Sequence, residues 1–203
     1  MAGNIYYDNI LGNLVTAVSG AATWSNFYLR GTNQLPAYPH IYKSDLFAMT
    51  FQMPHRKTLY QPIKSVHLHW IAGGTSSSSG ATAPADGTYN IQLSFTWGWY
   101  NRLDIIPATL PNSTGSPVDI PVTVTGGAVD MWKMQITNLI SNLTLTNPAS
   151  EGYSSILMVR CIRTNGGADT YPAGLVLVYM DAHVPVDRQG SVYEYSDYPP
   201  GEL

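Results

Sequence analysis

Charge is what this sequence has least of: Asp, Glu, Lys and Arg make up 11% of its 203 residues, against about 25% in an average soluble domain. The ten Lys and Arg residues never cluster, and the formal net charge is −3. Nucleic-acid affinity comes mainly from grouped cations set against phosphates, so no nucleic-acid partner is expected. Cysteine is almost missing as well. Cys161, in the apolar run SSILMVRCIR, has no second thiol for a disulfide or a metal, and such a residue reads as a small buried hydrophobe. No apolar stretch approaches the ~18 residues that cross a bilayer, so no membrane-spanning helix is expected. The opening MAGNIYYDNILG has neither a positive start nor a continuous apolar run. A signal peptide is therefore not expected, and the sequons at Asn112 and Asn142 mean little. Catalytic templates are missing too: there is no G-x-S-x-G elbow, no G-x-x-x-x-G-K-[ST] loop and no H-E-x-x-H. The thirteen acids are scattered, without the convergent pair that glycoside hydrolysis needs. Neither catalysis nor a cofactor is expected.

What is present is Thr, Ser, Asn, Gly and Tyr on a chain with 44% hydrophobic residues, enough for a full core without a staple. The segment YNIQLSFTWGWY sets Ile91, Leu93, Phe95, Trp97 and Trp99 on one face of a strand and Gln92, Ser94, Thr96 and Gly98 on the other. SILMVRCIR and AGLVLVYMDAHV are similar runs bounded by the turn signals NGGAD and YPAG. DLFAMTFQM, DIPVTVTGG and MWKMQI read as further strands, while ITNLISNLTL is open between a helical turn, a loop and a short strand. Strands at hairpin-like spacing without a long amphipathic helix predict an all-β fold, an antiparallel β-sandwich of jelly-roll type. The expected sandwich domain runs over residues 46–190. Residues 1–45 lack a sustained period and residues 191–203 are tyrosine- and proline-rich. They are expected as an extended N-terminal arm and a C-terminal tail, ordered on a neighbouring subunit or on their own domain. Low-complexity residues 73–87 are expected as a surface excursion.

The stretch KSVHLHWIAGG holds two of the five histidines. Alternation turns Val66, Leu68 and Trp70 one way and Ser65, His67 and His69 the other. Two imidazoles about 7 Å apart on one sheet face are the start of a metal site. His183, sharing a strand face with Asp181, is the natural third ligand, and His55 a weaker one. The glutamate and second glycine-rich motif of a cupin are missing, however. The histidines therefore read as hydrogen-bonding and stacking fasteners between strands, with His67, His69 and His183 the candidate ligands should a metal be held.

Taken in order, FQMPHRKTLYQPIKSVHLHW, the aromatic strand IQLSFTWGWY and SSILMVRCIRTNGGADTYPAGLVLVYMDAHVPVDRQGS resemble a family of tailed-bacteriophage virion proteins. The resemblance covers about residues 51–191. It rests on Pro54 and His55, on His67, His69 and Trp70, on Arg160 followed by Asp169, Thr170 and Tyr171, and on Asp181, His183, Asp187 and Gly190. It implies a structural protein on the capsid exterior, a head decoration or cement protein acting as a homotrimer whose partner is the phage major capsid protein.

Composition fits such a role, because interfaces favour Tyr, Trp and uncharged polar groups, and the chain has 14 Tyr and 5 Trp. Trimer contacts are expected around His67, His69, Trp70, Asp181 and His183 or on the aromatic strand, and shell contacts in the arm and tail. Two other readings are kept. One is a tail- or fibre-associated receptor- or glycan-binding module that stacks sugars on Trp97, Trp99, Tyr100 and Asn101. The other is a cupin-like metal-dependent enzyme.

Overall fold

The structure, a computed structural model, describes residues 6–15, 23–28, 34–53, 62–73, 84–100, 112–113, 117–124, 133–143 and 156–186. Among them the chain forms strands and no helix. In chain order these are β1 (Tyr6–Leu11), β2 (Asn13–Val15), β3 (Thr23–Tyr28), β4 (Gln34–Ile41), β5 (Leu46–Gln52), β6 (Ile63–Ala72), β7 (Gly87–Tyr100), β8 (Asn112–Ser113), β9 (Val118–Val124), β10 (Met134–Leu143), β11 (Ile156–Arg163) and β12 (Leu175–Val186).

All pairings are antiparallel and they nest. β4 pairs β12, β5 pairs β11, β6 pairs β10 and β7 pairs β9. Side by side, β6 joins β12 and β7 joins β11. One sheet therefore runs β10-β6-β12-β4 and the other β9-β7-β11-β5, which is the double Greek-key order of a jelly roll. The fold expected from strand spacing is the fold observed.

Period-two alternation fills the space between the sheets. From the first sheet come Val66, Leu68, Trp70, Met180, Ala182 and Val184; from the second come Phe47, Met49, Phe51, Ile91, Leu93, Phe95, Leu157 and Val159. Cys161 is fully buried among them, and burial pushes its thiol well above its ordinary pKa. Trp97 and Trp99 lie on the inward side of β7, partly buried against this core. The described part of ITNLISNLTL, through Leu143, is strand: β10 pairs β6 through a bulge between Asn138 and Ile140 that turns both Leu139 and Ile140 inward. That extra residue blurs the two-residue period and explains the ambiguity of the segment.

Of the two placements expected for residues 1–45, the described parts take the one on their own domain. β1 pairs β12, β2 pairs β5, and β4 takes the first position of the jelly roll, so this segment supplies strands to its own domain. Short strands, with Pro36 and Pro39 inside β4, leave no sustained period to read. At Gly12 the chain steps from one sheet to the other so closely that an added Cβ would sit 2.8 Å from the Phe51 ring. The C-terminal tail and residues 74–83 of the low-complexity stretch lie outside the described residues.

One end of the sandwich is closed by Arg163, the last inward residue of β11. Its guanidinium meets Asp169 twice, Nε to Oδ2 at 2.8 Å and Nη2 to Oδ1 at 2.9 Å. The remaining three donors reach the carbonyls of Ile41, Ala173 and Tyr171. All five N–H groups of the fork are thereby used. Asp169 Oδ2 also accepts from the Gln92 amide, at 3.1 Å. The Tyr171 hydroxyl donates to Gly73 O at 2.6 Å, and burial pushes its pKa up to about 12. Both sheets and the β4–β5 turn are tied at this point.

Asp169→Asn leaves a buried guanidinium without its charge partner, and is expected to cost about 3–5 kcal/mol. A urea midpoint lowered at unchanged m-value checks this. Cys161 should ignore a thiol-specific reagent in native protein and react fully once the chain is unfolded. Burial lowers the His40 pKa below its ordinary 6.5, so below about pH 6.5 the unfolded chain takes up a proton that the native imidazole resists. Stability should fall as pH drops from 7.5 to 5.5, and His40→Gln should reduce that slope in paired urea titrations.

Candidate functional site

The site lies on the outer face of the first sheet and is positioned by two neighbouring strands in register. Asp181 stands directly across from His67, Tyr179 from His69 and His183 from Ser65. β12 reaches this arrangement through a bulge between Leu177 and Tyr179. Before it Leu175 and Leu177 face the core; after it Met180, Ala182 and Val184 do. The one-residue shift re-aims Asp181 and His183 outward, onto the face that His67 and His69 already occupy.

Asp181 is 2% exposed and has three imidazoles around it. Its Oδ1 lies 3.4 Å from His67 Nδ1 and 3.4 Å from His69 Nε2, and its Oδ2 lies 3.8 Å from His183 Nε2. The His67 and His183 rings meet edge to face with centroids 4.5 Å apart, and His69 stacks on Tyr179 at 4.0 Å. Asp181 Oδ1 and both ring nitrogens of His69 are buried without a hydrogen bond. Burial lowers the His67 pKa. The Asp181 carboxylate opposes that effect, and His183 and His69 add to it. Across the remaining width of the face, Leu11 pairs with Asp181, Ile136 with His69 and Met134 with Ile71. Leu11, Met134 and Ile136 are 62%, 55% and 59% exposed, so apolar side chains flank part of the polar centre, while Asn138 across from His67 and Asn9 across from His183 keep the rest of its edge polar.

The residues singled out from sequence separate into distinct places. His67, His69, Asp181 and His183 come together in this cluster. Trp70, expected beside them at an interface, points into the core at 2% exposure, and its Nε1 donates to Thr137 Oγ1 at 2.9 Å. Alternation sends it to the opposite face from its histidine neighbours. Asp169 and Tyr171 belong to the Arg163 closure, while Arg160 is exposed on the outer face of the second sheet. His55, Asp187 and Gly190 lie outside the described residues. A cupin-like centre between the sheets is not what β6 builds, because its inward positions are Val66, Leu68, Trp70 and Ala72. The sugar platform expected on Trp97 and Trp99 is likewise turned inward, and Tyr100 is 7% exposed.

Two residues escaped the sequence reading. Arg163 continues the inward series Leu157, Val159, Cys161, so a charge at that position demanded a buried partner, and Asp169 follows across the turn. Tyr179 had no such signal, since the bulge that turns it toward His69 leaves no mark in the apolar pattern.

No protein-family model matches the sequence, and neither does any curated protein. Among solved structures, the carbohydrate-binding module TmCBM61 in complex with β-1,4-galactotriose aligns over 72% of this chain and 68% of its own, at 12% identity and a TM-score of 0.24.

Proposed function

We propose that the protein is a capsid decoration protein of a tailed bacteriophage, a homotrimer that binds the outside of the head and clamps neighbouring major capsid proteins. The observation that carries the reading is the outer face of the first sheet. Leu11, Met134 and Ile136 are large apolar side chains left exposed on this face, beside aromatic and polar side chains, and exposed apolar surface of this kind supports a partner that covers it. Four residues of the virion-protein pattern, His67, His69, Asp181 and His183, belong to this face. The low charge of the chain supports the role further, because uncharged polar groups are buried at smaller cost than unpaired ions.

The mechanism is adhesion. If each subunit buries ~800 Å² against its neighbours, the trimer is a stable unit before it meets the shell. Three linked copies then engage the shell together, and each further contact forms at high effective concentration. Repeated over the head, such contacts oppose the outward pressure of packed DNA without any turnover of a substrate.

Light scattering should give the mass of three chains, and Ile136→Glu, which sets a charge among the exposed apolar side chains, should shift it to that of one. Heads lacking the protein should bind the wild-type trimer in many copies and gain resistance to heat. A monomeric wild-type protein that leaves heads unbound would overturn the assignment. Saturable binding to a glycan array, together with only a few dozen copies per particle, would move it to the receptor-binding reading.

A further inference from the structure

The cluster around Asp181 brings three imidazoles to one buried carboxylate. Charge-assisted hydrogen bonds between an imidazolium and a carboxylate close to about 2.7–2.9 Å. Here the three separations are 3.4, 3.4 and 3.8 Å. A carboxylate that is 2% exposed thus has three imidazoles as neighbours, none at the short distance of a charge-assisted bond. Distances of this size have another natural origin. Ligands held at about 2.0–2.2 Å around a four-coordinate ion stand about 3.3–3.6 Å from one another, the edge of the tetrahedron, and His67 Nδ1 and Asp181 Oδ1 have that spacing, with His183 Nε2 slightly farther from Oδ2.

We propose that His67, His183 and Asp181 form a binding site for a divalent transition-metal ion of the zinc class. One donor atom from each of the three lies within 4.8 Å of the others, so a torsional adjustment of one imidazole closes the set. Two imidazoles and one carboxylate match zinc, cobalt and nickel, whereas magnesium and calcium select all-oxygen shells. The bulge in β12 is what makes the set possible, since a regular strand in phase with Leu175 and Leu177 would carry Asp181 and His183 into the core. Three ligands from two hydrogen-bonded strands leave a fourth position for water or for a group from outside the chain.

His69 has a different part. Its Nε2 lies 3.4 Å from the same Oδ1 that faces His67, its ring is held by Tyr179, and both its nitrogens are buried without a hydrogen bond. It is the positioning residue of the site: packed beside the carboxylate, it limits where Oδ1 can turn, the part that outer neighbours of ligating groups play. The inference is independent of the decoration role, since one chain supplies all the ligands.

The test uses the full chain, stripped with chelator and titrated with cobalt(II) alone and then with zinc. One equivalent of cobalt should give visible d–d absorption of a low-symmetry site, displaced stoichiometrically by zinc, and zinc should raise the unfolding midpoint. His183→Gln and His67→Gln should each abolish the absorption. His69→Gln should keep the spectrum and weaken affinity about 10- to 100-fold. Asp181 is buried and its substitution risks the fold, so the deciding variant is His183→Gln, at a position that is partly exposed. No cobalt signal and no zinc stabilisation in wild type would overturn the proposal. So would a signal that survives both His183→Gln and His67→Gln, or binding of calcium in preference to zinc.

Discussion

At one end of the sandwich a single guanidinium has every donor engaged, and the placement of the other groups depends on it. Arg163 draws together the last residues of β11, the turn before β5, the amide of Gln92 in β7 through Asp169, and the carbonyls that lead into β12. Tyr171 extends the grip to Gly73 at the end of β6. A buried ion pair of this kind adds less net stability than its contacts suggest, because both ions leave water. What it contributes is definition: the two sheets meet at one end in one arrangement, and there β6 ends and β12 starts in fixed register. The backbone bond from Gly73 N to Gly174 O, at 2.9 Å, lies at the same end of that strand pair.

From that fixed start the two strands run side by side and carry the functional groups outward along one face. Inward positions hold only packing residues, and outward positions hold the acid, the imidazoles and the apolar side chains that flank them. The separation lets the core be optimised for density while the outer face keeps unspent polar capacity. It also means that the chemistry of the molecule is presented to partners and ions from outside, on a rigid sheet rather than on loops.

Much of this was legible in the residues themselves. The alternation in YNIQLSFTWGWY and the split of Val66, Leu68 and Trp70 from His67 and His69 are local consequences of the pleat, and they are observed as read. The jelly-roll order follows from many short strands without helices. What could not be read shares one physical cause, an interrupted period. The bulges at Asn138 and at Leu177 each insert a residue that shifts the alternation, and in β12 the shift holds through Val184. A strict reading from Leu175 therefore sends Asp181 to the wrong face. The strands before residue 45 are short and interrupted by proline. Their role is set by distant partners on β5 and β12 rather than by local pattern. Arg163 was hidden for a different reason, since a charge at an inward position is informative only once its partner is known.

The nesting of the pairs has a kinetic side. β4 finds β12 more than a hundred residues along the chain, and β5 finds β11 at nearly the same distance. A ribosome must therefore deliver almost the whole chain before either sheet can be completed, and loop closure of that length precedes the gain from pairing. Until β12 emerges, β4 and β6 have an open edge between them, the kind of surface that recruits foreign strands. The last of the described strands, β12, is the one that occupies the centre of its sheet. A jelly roll wound in this order is vulnerable longest while it is being made, and a premature stop before residue 175 leaves a chain with no way to close.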